Sequence, residues 1–292
     1  MGSDVDIREF IEPYIEKLLS DEKLTSCLFF ETALKDLDSR RADLDTLIGE
    51  AESTIRMLEP YFSKDKKYLE IGGGVGLTYA YLRHLGYQII SIEPGGLGFA
   101  NRYSSGWRLL DIFGIDKDGW ISMGAEQLPE LNQKFDVIFS NFVLEHVNEL
   151  DLSFKGMVTV LNPNGVMVHR CPNYLIPFEP HYNIPLVPLF PQLTTWFRPS
   201  LKHDELWIGL KFLNYFTIRA FFSGQGMKAR FEKNQYYWAF SQVLNAPSFA
   251  ARKKMFVLPA KILKYTGLLY LLKLLPAFLQ TPMTFTVQSS KQ

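Results

Sequence analysis

Three features of this 292-residue chain predict an α/β architecture built on a doubly wound parallel sheet. From residue 67 to residue 171, apolar strand patterns alternate with helical periodicities, and such alternation makes the strands run parallel with helices on both faces. Residues 72–76 read Gly-Gly-Gly-Val-Gly between an apolar strand and a helix-period run. In sheets of the Rossmann type that turn presents a helix N-terminus to a nucleotide. Residues 135–141, Phe-Asp-Val-Ile-Phe-Ser-Asn, form the clearest buried strand. Composition is compatible: 47% hydrophobic residues suffice for one large core, or for a core domain with a subdomain. Lys plus Arg and Asp plus Glu both number 31, so the balanced charge gives no footprint of a general nucleic-acid binder and leaves room only for a local patch.

In chain order, residues 4–63 carry helical spacings and no strand signal. Ile7, Phe10, Ile11, Tyr14, Ile15 and Leu18 form one stripe, and Leu34, Leu37, Leu44, Leu47, Ile48, Ile55 and Leu58 form a second. This predicts an N-terminal helical extension over 1–66 that packs on the core; a lid over a ligand and a dimer contact are the alternatives. A strand at 67–71 and a helix from 77 to 85 follow. Next come a strand at 88–92 ending on Glu93, a Pro94-Gly95-Gly96 turn and a helix over 97–113. A short strand at 119–123, the strand at 135–141, a helix at 150–161 and a strand at 166–170 complete the alternation. Beyond Cys171 the pattern breaks into a loop with Pro177, Pro180, Pro185, Pro188 and Pro191. A helix at 217–225, a strand at 226–233 and an alternating strand at 283–287 close the chain, leaving insertions at 172–213 and 236–281. The main domain is therefore expected over 67–292, with the insertions forming a cap above the carboxyl ends of the strands, where such sheets bind substrates. Cys27 and Cys171 fit no zinc or redox spacing, and the N-terminus has no basic and apolar leader. Both point to the cytoplasm.

The spacing around the glycines narrows the ligand. A dinucleotide fingerprint would need glycine at position 77, where Leu77 stands. Glu70, two residues before Gly72, suits a positive group such as an amino-acid ammonium and ill suits a pyrophosphate. Glu93 lies where a strand-end carboxylate accepts hydrogen bonds from both ribose hydroxyls.

The segment Glu70-Ile71-Gly72-Gly73-Gly74-Val75-Gly76 resembles motif I of the class I S-adenosylmethionine-dependent methyltransferases. Gly124-Ala125-Glu126-Gln127-Leu128-Pro129 resembles the D-A-E-x-L-P segment of that family, and residues 135–147 resemble its F-D-x-V-x-x-x-x-V-L-E-H-V signature. Asn162-Pro163-Asn164-Gly165 stands where the family has L-x-P-G-G. The resemblance spans about 105 residues and is closest to the type 11 group of small-molecule enzymes. It implies a seven-stranded sheet of order 3-2-1-4-5-7-6 with an antiparallel edge. It also implies that S-adenosylmethionine sits against Glu70, Gly72, Gly73, Gly74, Gly76, Glu93, Pro94, Ala125, Glu126 and Asn141. Gly124 departs from the family's Asp, which puts the side-chain contact to the adenine amino group in doubt.

For catalysis, a sulfonium needs its nucleophile held in line, and a hydroxyl acceptor also benefits from a base. His181, beside Glu179 and Tyr182 on the proline-rich loop, is best located for that role; His146 and Tyr182 are the other candidates. His169, inside a strand, reads as a core residue, and His203 has no distinguishing context. No H-x-E or H-E-x-x-H spacing occurs, so no metal is expected. The expected activity is methyl transfer to a small-molecule, lipid-linked or glycan acceptor, first as O-methylation. C-methylation of a quinone-like or polyketide ring, a silent cofactor-binding partner protein and a dinucleotide oxidoreductase are the rivals. The apolar segment 256–279, carrying Lys261, Lys264 and Lys273, reads as a buried cap helix, an interfacial membrane helix or an oligomer contact. Its longest uninterrupted run is too short to span a bilayer.

Overall fold

The computed structural model describes residues 6–21, 24, 36–95, 101–245 and 256–289. Cys27, Leu34, the first residues of the helix expected over 97–113 and part of the second insertion lie outside them. The main sheet has seven strands: β1 (Lys67–Ile71), β2 (Gln88–Ile92), β3 (Trp120–Ile121), β4 (Phe135–Asn141), β5 (Leu161–Cys171), β8 (Met227–Phe231) and β9 (Met283–Ser289). Their spatial order is β3-β2-β1-β4-β5-β9-β8. Two further strands, β6 (Phe178–Glu179) and β7 (Ile184–Pro185), form a separate antiparallel hairpin inside the first insertion. With that hairpin set aside, the order is the expected 3-2-1-4-5-7-6. β1 pairs parallel with β2 and β4, whereas β8 and β9 pair antiparallel.

Several boundaries differ from the sequence reading for local reasons. β3 is only two residues long, because Gly124 turns the chain at once into the 3-10 turn Ala125–Leu131. β5 extends back through Asn162-Pro163-Asn164-Gly165, ahead of the strand expected from residue 166. There Asn162 donates to the Asp136 carboxylate at 2.6 Å and holds the segment beside β4. The segment 256–279 is not one helix. It consists of the helix Val257–Tyr265, a left-handed Gly267 (φ 75°) and the 3-10 turns Leu268–Leu274 and Ala277–Leu279. Among the described residues, no helix is long and apolar enough to cross a membrane.

Two compact units make up the chain, Met1–Val168 and His169–Gln292. In the first, the N-terminal helices share one core with the parallel strands. Phe10, Ile11, Leu44, Ile48, Ile55 and Leu58 are buried in the same cluster as Tyr68, Tyr79 and Val137. The long helix Leu37–Leu58 is capped by Asp36, whose carboxylate accepts from the Ser39 amide. Its Thr54 hydroxyl accepts a 3.0 Å hydrogen bond from the Asn141 side chain at the end of β4. In the second unit, the first insertion folds around its own small core of Tyr174, Ile184, Leu186, Leu201, Trp207 and Leu210. The β8–β9 ribbon packs separately, with Phe285 fully buried between Phe231 and His169. Asn214 caps the helix Tyr215–Gly224 by accepting from the Phe216 and Thr217 amides. Asp and Asn at such caps each contribute about 1 kcal/mol.

Candidate functional site

The first unit gathers its polar chemistry where β1 and β2 end. Register places Glu70 directly opposite Ser91, and the Ser91 hydroxyl donates to the Glu70 carboxylate at 2.7 Å. Both are buried, as are Thr78 and Glu93. Burial pushes the Glu70 carboxyl up to about 8, against the hydrogen bond from Ser91, and the nearby Glu93 charge adds to the rise. Glu93 is also raised by burial, opposed by hydrogen bonds from the backbone amides of Gly74 (2.8 Å) and Gly95 (3.3 Å). The site thus holds two buried acids side by side, and the first is protonated near neutral pH.

The glycine turn is held by the second strand. Gly72 and Gly73 both donate to the Ile92 carbonyl, at 2.9 and 3.0 Å, and Gly76 donates to the Gly73 carbonyl. The turn amides at 72, 73, 74 and 76 find partners within the chain. What the glycines provide is space and curvature. A Cβ at Gly73 would stand 2.1 Å from the Ser91 hydroxyl and 2.5 Å from the Trp120 ring, so any side chain there would displace the partner of Glu70. Gly72, Gly74 and Gly76 all have positive φ, which is strained for other residues. Above Gly74 the space is open, with only the Arg102 guanidinium 3.6 Å from a built Cβ.

Residues 124–126 explain the departure from the D-A-E-x-L-P pattern. A Cβ built on Gly124 would lie 2.1 Å from one Glu126 carboxylate oxygen and 2.5 Å from the other. The Glu126 carboxylate occupies the volume that an Asp side chain at 124 would fill. The Gly124 amide is taken by the Gln127 side chain at 3.1 Å, and Ala125 is buried. Pro94 is exposed at the end of the β2 turn. Asn141, expected at the cofactor, donates its amide nitrogen to Thr54, and its buried Oδ1 has no hydrogen-bond partner among the described residues.

Just after Asn141, Phe142 adopts φ 55° with its ring 40% exposed. A bulky residue in the left-handed region is strained, and such strain gathers at functional positions. The sequence gives no signal for it. Ser91 did carry one, as the polar residue on the inner face of an otherwise apolar buried strand. His146 lies in the 3-10 turn Leu144–His146, its amide bonded to the Val143 carbonyl.

In the second unit, the Glu179 carboxylate is wholly buried and accepts from Tyr174 (2.9 Å), from the His181 amide (2.8 Å) and from the His181 Nδ1 at 2.5 Å. Burial alone would raise the Glu179 carboxyl, but these hydrogen bonds outweigh it and hold it below its ordinary value. With Nδ1 donating, the ring lone pair lies on Nε2. Tyr182 donates to Asp204, and burial together with that bond raises its hydroxyl strongly, so it is a poor base. His169 is fully buried and its imidazole is pushed down to about 3, a neutral core residue as the sequence implied.

These acids, glycines and carboxylates fit an S-adenosylmethionine group: the buried acid pair suits a cationic amino-acid end, and Glu126 offers an acceptor at the adenine segment. A family model described as a methyltransferase domain matches residues 40–238. An uncharacterized protein of Mycobacterium tuberculosis is 26% identical over 200 residues, covering 66% of this chain and 68% of its own length. A ubiquinone biosynthesis O-methyltransferase of Azorhizobium caulinodans is 29% identical over 126 residues, 42% of this chain and 46% of that protein. The solved structure of a plantazolicin methyltransferase in complex with a triazolic desmethyl analogue and SAH is similar over 96% of this chain and 100% of that one. Its identity is 14% and its TM-score 0.48.

The buried acid gives a testable pH dependence. Because the Glu70 carboxyl titrates near 8 in the folded chain and near 4.5 when free, the native state holds the extra proton between those values. Stability is therefore full below about 4.5 and falls as pH rises through about 8. Glu70→Gln removes this slope, so thermal unfolding followed from acid to alkaline pH should show the wild type losing stability relative to the variant. Parallel curves would contradict the assignment.

Proposed function

The chain belongs to the methyltransferase-domain family and is an S-adenosylmethionine-dependent methyltransferase, and we propose that it methylates the oxygen of a small, largely apolar acceptor. In this reading Glu70 takes the cofactor's ammonium in its ionised form and Glu93 takes the ribose hydroxyls. The turn at Gly72, Gly73, Gly74 and Gly76, with Pro94 and Ala125, gives the space in which the nucleoside lies. Asn141, tied through its amide nitrogen to the helix Leu37–Leu58, offers its unpartnered Oδ1 to the cofactor. When bound, the cofactor supplies an already activated methyl group, so the protein's work is positioning and proton removal.

The observation that carries the oxygen assignment is the Glu179–His181 pair. Buried Glu179 holds the imidazole through Nδ1, the arrangement of an oriented general base. A hydroxyl acceptor benefits from such a base, whereas a neutral amine attacks unassisted. The partial likeness to O-methyltransferases of ubiquinone biosynthesis supports the same choice. His146 is the remaining alternative base. The domain over 67–292, with the insertions 172–213 and 236–281 as a cap rich in proline and aromatic side chains, suits a lipid-linked, glycan or ring acceptor. The buried thiol of Cys171 suits a cytoplasmic setting.

At the adenine end, Glu126 stands in for the family's Asp. Glu126→Ala should weaken binding of S-adenosylhomocysteine by about 1.5–3 kcal/mol, the usual loss for a hydrogen bond to a charged group. Adding Gly124→Asp to that variant should restore affinity, since the carboxylate that blocked a side chain at 124 is gone. Calorimetry that finds no loss in the single variant would remove Glu126 from the site.

At the acceptor end, His181→Ala should leave S-adenosylhomocysteine binding unchanged and lower turnover of hydroxylated aromatic acceptors by ~10²–10⁴-fold. Near-normal turnover would exclude His181, and a carbon-methylated product identified by NMR would replace the oxygen reading by C-methylation.

A further inference from the structure

Charge is segregated along this chain although its total is zero. His169–Gln292 contains fifteen Lys and Arg against four Asp and Glu, a formal +11, so Met1–Val168 carries −11. After Glu232 no acidic residue occurs at all, while eight Lys and Arg do. A basic excess confined to one compact unit calls for an anionic partner.

The same unit carries an uncovered apolar face. Ala260 and Leu269 are buried, and the helix Gln235–Asn245 packs on this side through Tyr237–Tyr270 and Phe240–Phe256 ring contacts. The opposite side is left out. Leu258, Ile262 and Tyr265 follow one another at helical spacing and are 67%, 52% and 87% exposed, and Leu271 and Leu274 continue the stripe at 54% and 77%. Lys261 and Lys264 flank it and are exposed. Apolar side chains that protrude singly are ordinary; a continuous stripe bordered by lysines, with no acid in the segment, is not.

Beside this stripe lies an open groove of about 500 Å³ lined by Arg219, Lys228, Arg230 and Lys233, with Tyr215, Phe231 and Ala277. Among the described residues none of the four cations forms an ion pair; Arg219 reaches only the Tyr215 hydroxyl, at 3.4 Å. Ala277 lines the groove three residues after Leu274, and its neighbour Phe278 packs on Tyr215 and Phe216.

We propose that this face of the second unit docks on a bilayer bearing anionic lipids, with the 258–274 stripe entering the acyl boundary and the basic groove taking headgroup phosphates. Length favours this occupant over a spanning mode, since no described helix can cross a membrane. Charge disfavours pairing of this face with the same face of a second copy, because two faces of like sign would repel. Amphipathic segments with lysines beside a protruding apolar stripe bind membranes in this in-plane manner, and each basic residue near an anionic surface contributes about fivefold in partition.

The test is co-sedimentation of the full chain with vesicles of phosphatidylcholine alone and of phosphatidylcholine with phosphatidylglycerol in equal parts. The wild type should pellet with the mixed vesicles and stay in solution with the neutral ones. Leu258→Gln with Ile262→Gln and Leu271→Gln, and separately Lys261→Glu with Lys264→Glu, should each lower partition by about tenfold or more. All these positions are exposed, and S-adenosylhomocysteine calorimetry on each variant checks that the fold and the cofactor site are intact, so this proposal can fail without the methyltransferase reading failing. Wild-type protein left in solution with anionic vesicles, or partition untouched by either set of substitutions, would overturn it. So would light scattering that shows a dimer broken by the apolar substitutions, since a second copy would then cover the stripe.

Discussion

The site rests on a single electrostatic constraint: two carboxylates, Glu70 and Glu93, buried side by side at the ends of β1 and β2. Burial raises both, and at Glu93 the amides of Gly74 and Gly95 and the charge of Arg102 oppose that rise. Burial in a low-dielectric pocket disfavours the charged form, and the nearby Glu93 charge adds to this, so Glu70 keeps its proton. Much of the surrounding geometry serves this pair. Ser91 lies in register to hold Glu70, the Gly74 and Gly95 amides hold Glu93, and Gly73 lacks a side chain because one would fall on Ser91. A cation placed there relieves the strain and converts the pocket into an ion-paired site, which is why a sulfonium amino acid suits it and a pyrophosphate does not.

Much of this was legible in the sequence because it depends on short-range pattern. Strand and helix periods fixed the alternation from 67 to 171, and Leu77 together with Glu70 separated this turn from a dinucleotide fingerprint. What the glycine turn does was less legible. Its amides bond Ile92, Glu93 and Gly73, which anchors the turn to the neighbouring strand. The bond from the Asn141 amide nitrogen to Thr54 joins residues 87 apart, which no local pattern reveals. Phe142 was invisible for a similar reason: nothing in an aromatic residue's identity announces a left-handed backbone.

The substitution at 124 illustrates how a motif can be broken and its chemistry kept. Read alone, glycine in place of aspartate removes an acceptor. In three dimensions the carboxylate of Glu126, two residues on, folds into the vacated volume. The second unit shows the converse. Its basic and apolar character is plain in composition, but the division into a buried side and a protruding stripe along 256–279 depends on Gly267, which breaks what would otherwise be one continuous helix.

The most direct measurement of the central claim is the proton balance of ligand binding. Titration of S-adenosylhomocysteine into the protein near neutral pH, in buffers of different ionisation enthalpy, reports the protons exchanged. If the ligand's ammonium meets Glu70, the carboxyl must ionise on binding, and up to about one proton should be released per site, a release lost in Glu70→Gln. Binding with no proton release, or with the same release in the variant, would show that the buried acid pair is not what the cofactor meets.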